Sequence, residues 1–178
     1  GPVATAALDR NETTPGLRAT TGGSPLETLV RLWPLQATVP LAAAEAVLPV
    51  RPLVDGGILE TDGDTVRAVV DVRPYADDEG DWWVASDLTP GLDGHLEPVS
   101  DGHVLGVNAA SSTLAQLTVR EPAERALDLG TGCGVQALHM TRHCAAVVAT
   151  DGNPRALSLA SLTARLNDLD VDLRRGSL

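Results

Sequence analysis

The chain has 178 residues and a formal net charge of −11, with 43% hydrophobic and 21% charged residues, which is the composition of a globular protein with one or two domains. All 13 basic residues are Arg, and residues 1–100 carry 6 Arg against 16 acids, net −10, whereas residues 101–178 carry 7 Arg against 8 acids, net −1. An acidic first half is a poor partner for a phosphate backbone, two cysteines without ligand spacing give no metal site or disulfide framework, and no apolar run approaches the ~20 residues of a membrane span.

Residues 1–23, rich in Ala, Thr and Gly without a sustained period, read as a partly disordered leader, and Gly1-Pro2 as the scar of a tag-removing protease, so that the numbering starts inside a longer protein. A first domain is expected over 24–98. Ser24 or Pro25 opens a helix with Leu26, Leu29, Val30 and Trp33 on one face, stopped near Pro34. Pro40 opens a second, with Leu41, Ala44, Val47 and Leu48, and Arg51 to Asp55 forms a third that ends at Gly56-Gly57. Ile58-Leu59-Glu60 and a turn at Asp62-Gly63 follow. Two strands, Thr65 to Val72 and Trp82 to Ala85, are joined through Asp77-Asp78-Glu79-Gly80. Trp82 and Trp83, as neighbours in a strand, point to opposite faces. Three short helices and a two-stranded wing resemble an α+β winged-helix domain. That fold often reads duplex DNA, but the third helix offers only Arg51 as a base-reading side chain, so no specific duplex DNA partner is expected.

The second domain spans 99–178. Ser112 can cap a helix carrying Leu114, Leu117 and Val119. Then comes the most informative stretch, Ala126-Leu127-Asp128-Leu129-Gly130-Thr131-Gly132-Cys133-Gly134 followed by Val147-Val148-Ala149-Thr150-Asp151. It reads as a strand, a glycine loop, a helix from Val135 to Arg142, and a second strand from Ala146 to Thr150 with a carboxylate at its end. Glycines let a strand turn sharply into a helix and let the backbone approach a ligand; the helix start turns unpaired N–H groups toward that ligand. Asp151, 23 residues after Asp128, can accept both hydroxyls of a ribose. Asn153-Pro154 starts a second helix with Leu157, Ala160, Ser161 and Ala164 inward, and Val171 to Leu173 is a third strand. The site is therefore a nucleoside half-site in an α/β sheet. Its third glycine is not where a dinucleotide fold requires it, since Val135 holds that place.

The pattern Asp128-Leu129-Gly130-Thr131-Gly132-Cys133-Gly134 with Asp151 resembles the first two motifs of class I S-adenosylmethionine-dependent methyltransferases. The resemblance implies a Rossmann-like sheet, with S-adenosyl-L-methionine as cofactor. Gly130, Thr131, Gly132, Cys133 and Gly134 would cradle its methionine portion. Asp128 would help hold its amino group, Asp151 its ribose, and Gly152 and Asn153 would lie beside the adenosine, although Asn153 serves equally as a plain helix cap. Ser111, Ser112 and Thr113 fall where relatives fold a segment over the methionine end, with simple capping as the alternative. Ser177 takes the place of an Asp that recognises the adenine amine in many relatives, with Leu178 beside it.

More closely, Asp71-Val72-Arg73-Pro74-Tyr75, Gly80-Asp81-Trp82-Trp83, Val104-Leu105-Gly106 and Thr113-Leu114-Ala115-Gln116-Leu117-Thr118 are similar to actinobacterial small-domain methyltransferases related to release-factor glutamine and ribosomal RNA guanine methyltransferases. Those relatives carry a later Asn-Pro-Pro-aromatic acceptor motif that this sequence lacks, so the catalytic groups are expected beyond Leu178. Only the N-terminal half of the sheet is expected, with its first strand left as an edge, and a fragment that is inactive alone. The implied function is methyl transfer to an amide or amine nitrogen of a protein or RNA substrate in the cytoplasm, with no metal. A winged-helix regulator sensing an adenosine ligand and a nicotinamide-dependent oxidoreductase remain the alternatives.

Overall fold

The computed structural model describes residues 1–94 and 98–176. They divide into two compact units, Gly1–Asp71 with Leu88–Val99, and Val72–Asp87 with Ser100–Leu178.

The first unit begins with helices α1 (Pro2–Leu8) and α2 (Thr14–Ala19), so the expected leader carries regular structure. Helix α3 (Pro25–Leu32) is opened by a capping box: Ser24 Oγ accepts from the Glu27 N–H and Glu27 returns a bond to the Ser24 N–H at 2.8 Å. Its inward residues are Thr28 and Leu32, whereas Leu26, expected on that face, is 69% exposed. Arg31 in its last turn donates to the carbonyls of Leu17 and Thr20 at 3.1 and 2.9 Å, which ties α3 to the α2 region. Strand β1 (Val39–Pro40), helices α4 (Leu41–Glu45) and α5 (Val50–Asp55), and strands β2 (Leu59–Asp62) and β3 (Thr65–Ala68) complete the unit. The sheet order is β1-β3-β2, both pairings antiparallel. Leu32, Val39, Ala44, Val50, Leu59, Val66 and Ala68 form its core.

The expected wing therefore needs correcting. Strand β3 stops at Ala68 and pairs with β1 and β2, and the segment expected to continue to Val72 starts a separate strand, β4 (Asp71–Asp77), whose neighbour is β5 (Gly80–Ser86). Val66, Ala68, Val70 and Val72 keep the same parity across the break, so the apolar spacing alone does not separate the two strands. Trp82 is buried and Trp83 is 49% exposed, as the two faces of a strand require.

The second unit holds β5 and most of β4, with α6 (Ala109–Leu117), β6 (Ala123–Leu129), α7 (Val135–Met140), β7 (Cys144–Asp151), α8 (Pro154–Leu166) and β8 (Asp172–Arg175). Strands β6, β7 and β8 pair in parallel in that order. Ala137, Val147 and Ala149 form the buried cluster between α7 and the sheet. Among the described strands β6 has one neighbour, and its Leu127 and Leu129 are 54% and 51% exposed. Helix α8 turns Ala156, Leu159, Ala160, Thr163 and Ala164 inward, a stripe displaced from the expected one. One reason is polar: Thr163 Oγ1 accepts from the Ala85 N–H at 3.0 Å, and Asn167 bonds both the N–H and the carbonyl of Trp83 at 2.8 Å. These side chains satisfy a strand edge that would otherwise stay open.

The β4–β5 pair is fastened to the end of α7 through His139, which is 4% exposed. The Tyr75 hydroxyl meets His139 Nε2 at 2.8 Å, and Asp77 lies 3.5 Å from Nδ1. Arg142 donates to both oxygens of Asp77 at 2.8 and 2.9 Å and lies 3.9 Å over the Trp82 ring. If neutral His139 accepts from the Tyr75 hydroxyl on Nε2, its proton sits on Nδ1, the nitrogen nearer Asp77.

Burial pushes the His139 pKa below its ordinary value. A depressed histidine contributes stability above the unfolded-state pKa of about 6.5, and that stability is lost as pH falls below it, because the unfolded chain then takes up the proton more readily. The thermal midpoint should hold from about pH 8 to 6.5 and decline below, with a shallower decline in His139→Gln. An equally steep decline in the variant would contradict this.

Candidate functional site

Asp128, the last residue but one of β6, and Asp151, the last of β7, lie at the ends of adjacent parallel strands, and the register that pairs Leu129 with Thr150 brings those carboxyl ends together. The loop that follows β6 is laid against the end of β7: the N–H groups of Gly130 and Thr131 both donate to the Thr150 carbonyl, at 2.8 and 3.0 Å. Gly130, Gly132 and Gly134 have φ of +73°, +56° and +89°. Gly134 is the residue whose identity is most constrained, since it caps α7 in the left-handed region and an added Cβ would sit 3.3 Å from the Ala160 Cβ of α8. At Gly130 and Gly132, by contrast, a Cβ would meet nothing within 4 Å, so the loop presents open backbone.

Asp151 is the junction of the site. Its Oδ2 accepts from the Gly132 N–H at 3.0 Å, and its Oδ1 accepts from the Asn153 N–H at 2.9 Å. Each carboxylate oxygen keeps a further lone pair for a ligand hydroxyl. Asp128 is 7% exposed and accepts from the Thr131 hydroxyl at 2.7 Å. Burial pushes its carboxyl pKa up, and the nearby Asp151 charge adds to that. A buried carboxylate at a strand end beside open glycine backbone suits a cationic, hydroxyl-bearing ligand.

The remaining residues expected at the site fall into distinct places. Thr131 and Cys133 are buried at 6% exposure each, and burial raises the Cys133 thiol pKa. Their loop contribution is therefore backbone. Gly152 is exposed on the turn into α8. Asn153 caps that helix, its Oδ1 accepting from the Arg155 N–H at 2.9 Å, while its Nδ2 donates to the Gly102 carbonyl at 2.8 Å. Ser177 and Leu178 lie outside the described residues.

The expected cap at Ser112 is corrected: Asn108 opens α6, its Oδ1 accepting from the N–H groups of Ala110 and Ser111. Asparagine and serine are comparable caps, and the helix starts at the earlier one because Ser111 completes a reciprocal box with Asn108. The Ser111 carbonyl accepts from Gln136 Nε2 at 2.8 Å, which holds it beside the first turn of α7. Ser112 lines a cavity of about 310 Å³ with Tyr75, Gln116, Arg120 and His139, a cavity that no residue of the glycine loop lines, and Thr113 is exposed. Sequence reasoning missed Gln136, Gly102 and Asp87, whose bonds hold the stretch from Gly102 to the first turn of α6. Their partners are between 17 and 68 positions away, so no local spacing marks them.

Among the described residues no helix is long and apolar enough to cross a membrane, and no group of His, Cys, Asp and Glu is arranged to hold a metal ion. Residues 105–178 match the family model "Methyltransferase small domain", and residues 1–69 match a domain of unknown function, DUF7059. The chain is 38% identical over 91 residues to the release factor glutamine methyltransferase of Deinococcus radiodurans, covering 48% of this chain and 33% of that protein. It thus spans about a third of the length of this relative. Solved structures with local similarity include a T. thermophilus 16S rRNA N2 methyltransferase in complex with AdoMet and guanosine (14% identity, TM-score 0.42, 76% of this chain and 40% of that one). Another is the Pyrococcus abyssi tRNA (uracil-54, C5)-methyltransferase in complex with S-adenosyl-L-homocysteine (17% identity, TM-score 0.37, 60% and 24%). Over residues 105–178 the chain is therefore similar to the methyltransferase small domain.

Proposed function

We propose that this chain carries the cofactor half of a methyltransferase that modifies an amide or amine nitrogen of a protein or RNA substrate. The observation that supports it most is the junction at Asp151, where one carboxylate holds the glycine loop by the Gly132 N–H and keeps lone pairs for a ribose. When bound, S-adenosylmethionine supplies an electrophilic sulfonium methyl group. The chain's own residues provide alignment and electrostatics. Asp151 accepts the ribose hydroxyls, the backbone of Gly130 and Gly132 admits the amino-acid portion closely, and ionised Asp128 meets its ammonium. The Deinococcus relative is named for glutamine, whose side-chain amide offers a nitrogen, and the family resemblance extends the reading to RNA. A cytoplasmic location goes with both substrate classes.

For the first unit we propose a winged-helix type of recognition domain. Support comes from the succession α3, β1, α4, α5 and the β2–β3 hairpin with β1 on its other edge. Its acidic balance, 5 Arg against 11 acids over Gly1–Asp71 and Leu88–Val99, favours protein contacts over specific duplex DNA.

Two measurements test the site. Asp151→Ala should weaken S-adenosylhomocysteine binding by about 10- to 150-fold, the loss of hydrogen bonds to a charged acceptor worth about 1.5 to 3 kcal/mol. Equal calorimetric affinities in the two proteins would remove Asp151 from the ribose role. Because burial raises the Asp128 pKa and the ionised form is the one that meets an ammonium, affinity should fall with decreasing pH from above the ordinary aspartate range. Asp128→Asn should bind about tenfold more weakly at neutral pH and lose that dependence. A pH profile unchanged by the substitution would contradict the assignment.

A further inference from the structure

The stretch from Gly102 into the first turn of α6 at Ser111 is held at both ends by side chains from the starts of α8 and α7. At its beginning, Asn153 Nδ2 donates to the Gly102 carbonyl at 2.8 Å, and Asn153 lies two residues after Asp151 and opens α8. At its end, the Ser111 carbonyl accepts from Gln136, in the first turn of α7 directly after the glycine loop. The stretch from Gly102 to Ser111 therefore spans from the ribose carboxylate's side of the site to the glycine loop's side, as a strap.

Near its beginning the strap is clamped by Asp87, the residue that follows β5. Asp87 Oδ1 accepts from Arg155 Nε and Nη2 at 3.0 and 2.7 Å, and Arg155 sits in the first turn of α8. Its Oδ2 accepts from the Val104 N–H at 2.8 Å, while the Asp87 N–H donates to the Val104 carbonyl at 3.0 Å. Val104 is 4% exposed, and two residues on, Gly106 approaches β5 so closely that a Cβ would meet Ser86 Oγ at 2.8 Å. One carboxylate, 17% exposed, thus joins the strap to the helix whose N-cap, Asn153, donates its N–H to Asp151. Charge-assisted bonds from a planar guanidinium fix direction as well as distance.

We propose that Asp87 is a positioning residue for cofactor binding: by holding Val104 and Arg155 on one carboxylate it sets the strap Gly102–Ser111 against the glycine loop, and it governs affinity for the amino-acid portion of the cofactor. The proposal rests on the cofactor reading given above. It assigns to the strap the portion nearest its Ser111 end, where Gln136 anchors it beside the loop. The adenosine portion, held by Asp151, depends on the strap far less.

The test is calorimetric titration of the full chain with S-adenosylhomocysteine and, separately, with adenosine, in the unmutated protein, Asp87→Ala, Arg155→Ala and Asp151→Ala. Asp87→Ala and Arg155→Ala should each weaken S-adenosylhomocysteine by about tenfold and adenosine by less than about twofold. Arg155 is 43% exposed on its side chain, so its substitution keeps the comparison available should Asp87→Ala fold poorly. Equal weakening of both ligands in both variants would mark a general loosening and overturn the positioning role, as would unchanged affinity. Loss of binding in Asp151→Ala with full retention in the two clamp variants would overturn this proposal and leave the cofactor reading intact. Failure of the unmutated chain to bind S-adenosylhomocysteine would overturn both.

Discussion

The C-terminal unit is organised around the carboxylate of Asp151 receiving two backbone N–H groups, from Gly132 and Asn153. Those two bonds connect the loop after β6 to the end of β7 and to the first turn of α8. A strand end, a loop and a helix start are thereby held in one place without metal or disulfide among the described residues. The left-handed glycines make this possible, because a loop turned this tightly must bring its own amides to the carboxylate. Gly134 closes the arrangement by letting α8 pack against it at Ala160.

A consequence of that constraint is that the site is built from backbone while most nearby side chains are spent on structure. Thr131 bonds Asp128, Asn153 caps α8 and holds Gly102, and Ser111 completes the cap of α6. The free polar capacity lies on Asp128, Asp151 and the amides of the loop, which is the pattern of a site that orients a polyfunctional ligand and leaves reactivity to that ligand. Buried Asp128 in particular costs stability while unpaired, a cost that a cationic ligand group offsets.

Much of this was legible in the sequence because the determinants are local. The glycine spacing, the following carboxylate and the Asn153-Pro154 helix start specify loop, strand end and cap within 30 residues of one another, and each falls where its chemistry requires. What escaped was long-range or competitive. The break between β3 and β4 is invisible to alternation, which continues through it. The α6 cap is Asn108 where Ser112 was expected, because the helix starts a turn earlier with Ser111 closing the box, and the stripe of α8 shifted toward Thr163 because β5 needed donors and acceptors at its edge. Asp87 had no signal at all, since its partners Val104 and Arg155 are 17 and 68 residues away.

The account stands most directly on which nucleoside the loop accepts. Thermal unfolding of the chain with S-adenosylhomocysteine, and separately with nicotinamide adenine dinucleotide, decides it, because a ligand that binds only the folded state raises the midpoint, by about 2.7 kcal/mol of stability at a hundredfold excess over its Kd. S-adenosylhomocysteine should give a concentration-dependent rise and the dinucleotide none. A rise with the dinucleotide and none with S-adenosylhomocysteine would contradict it.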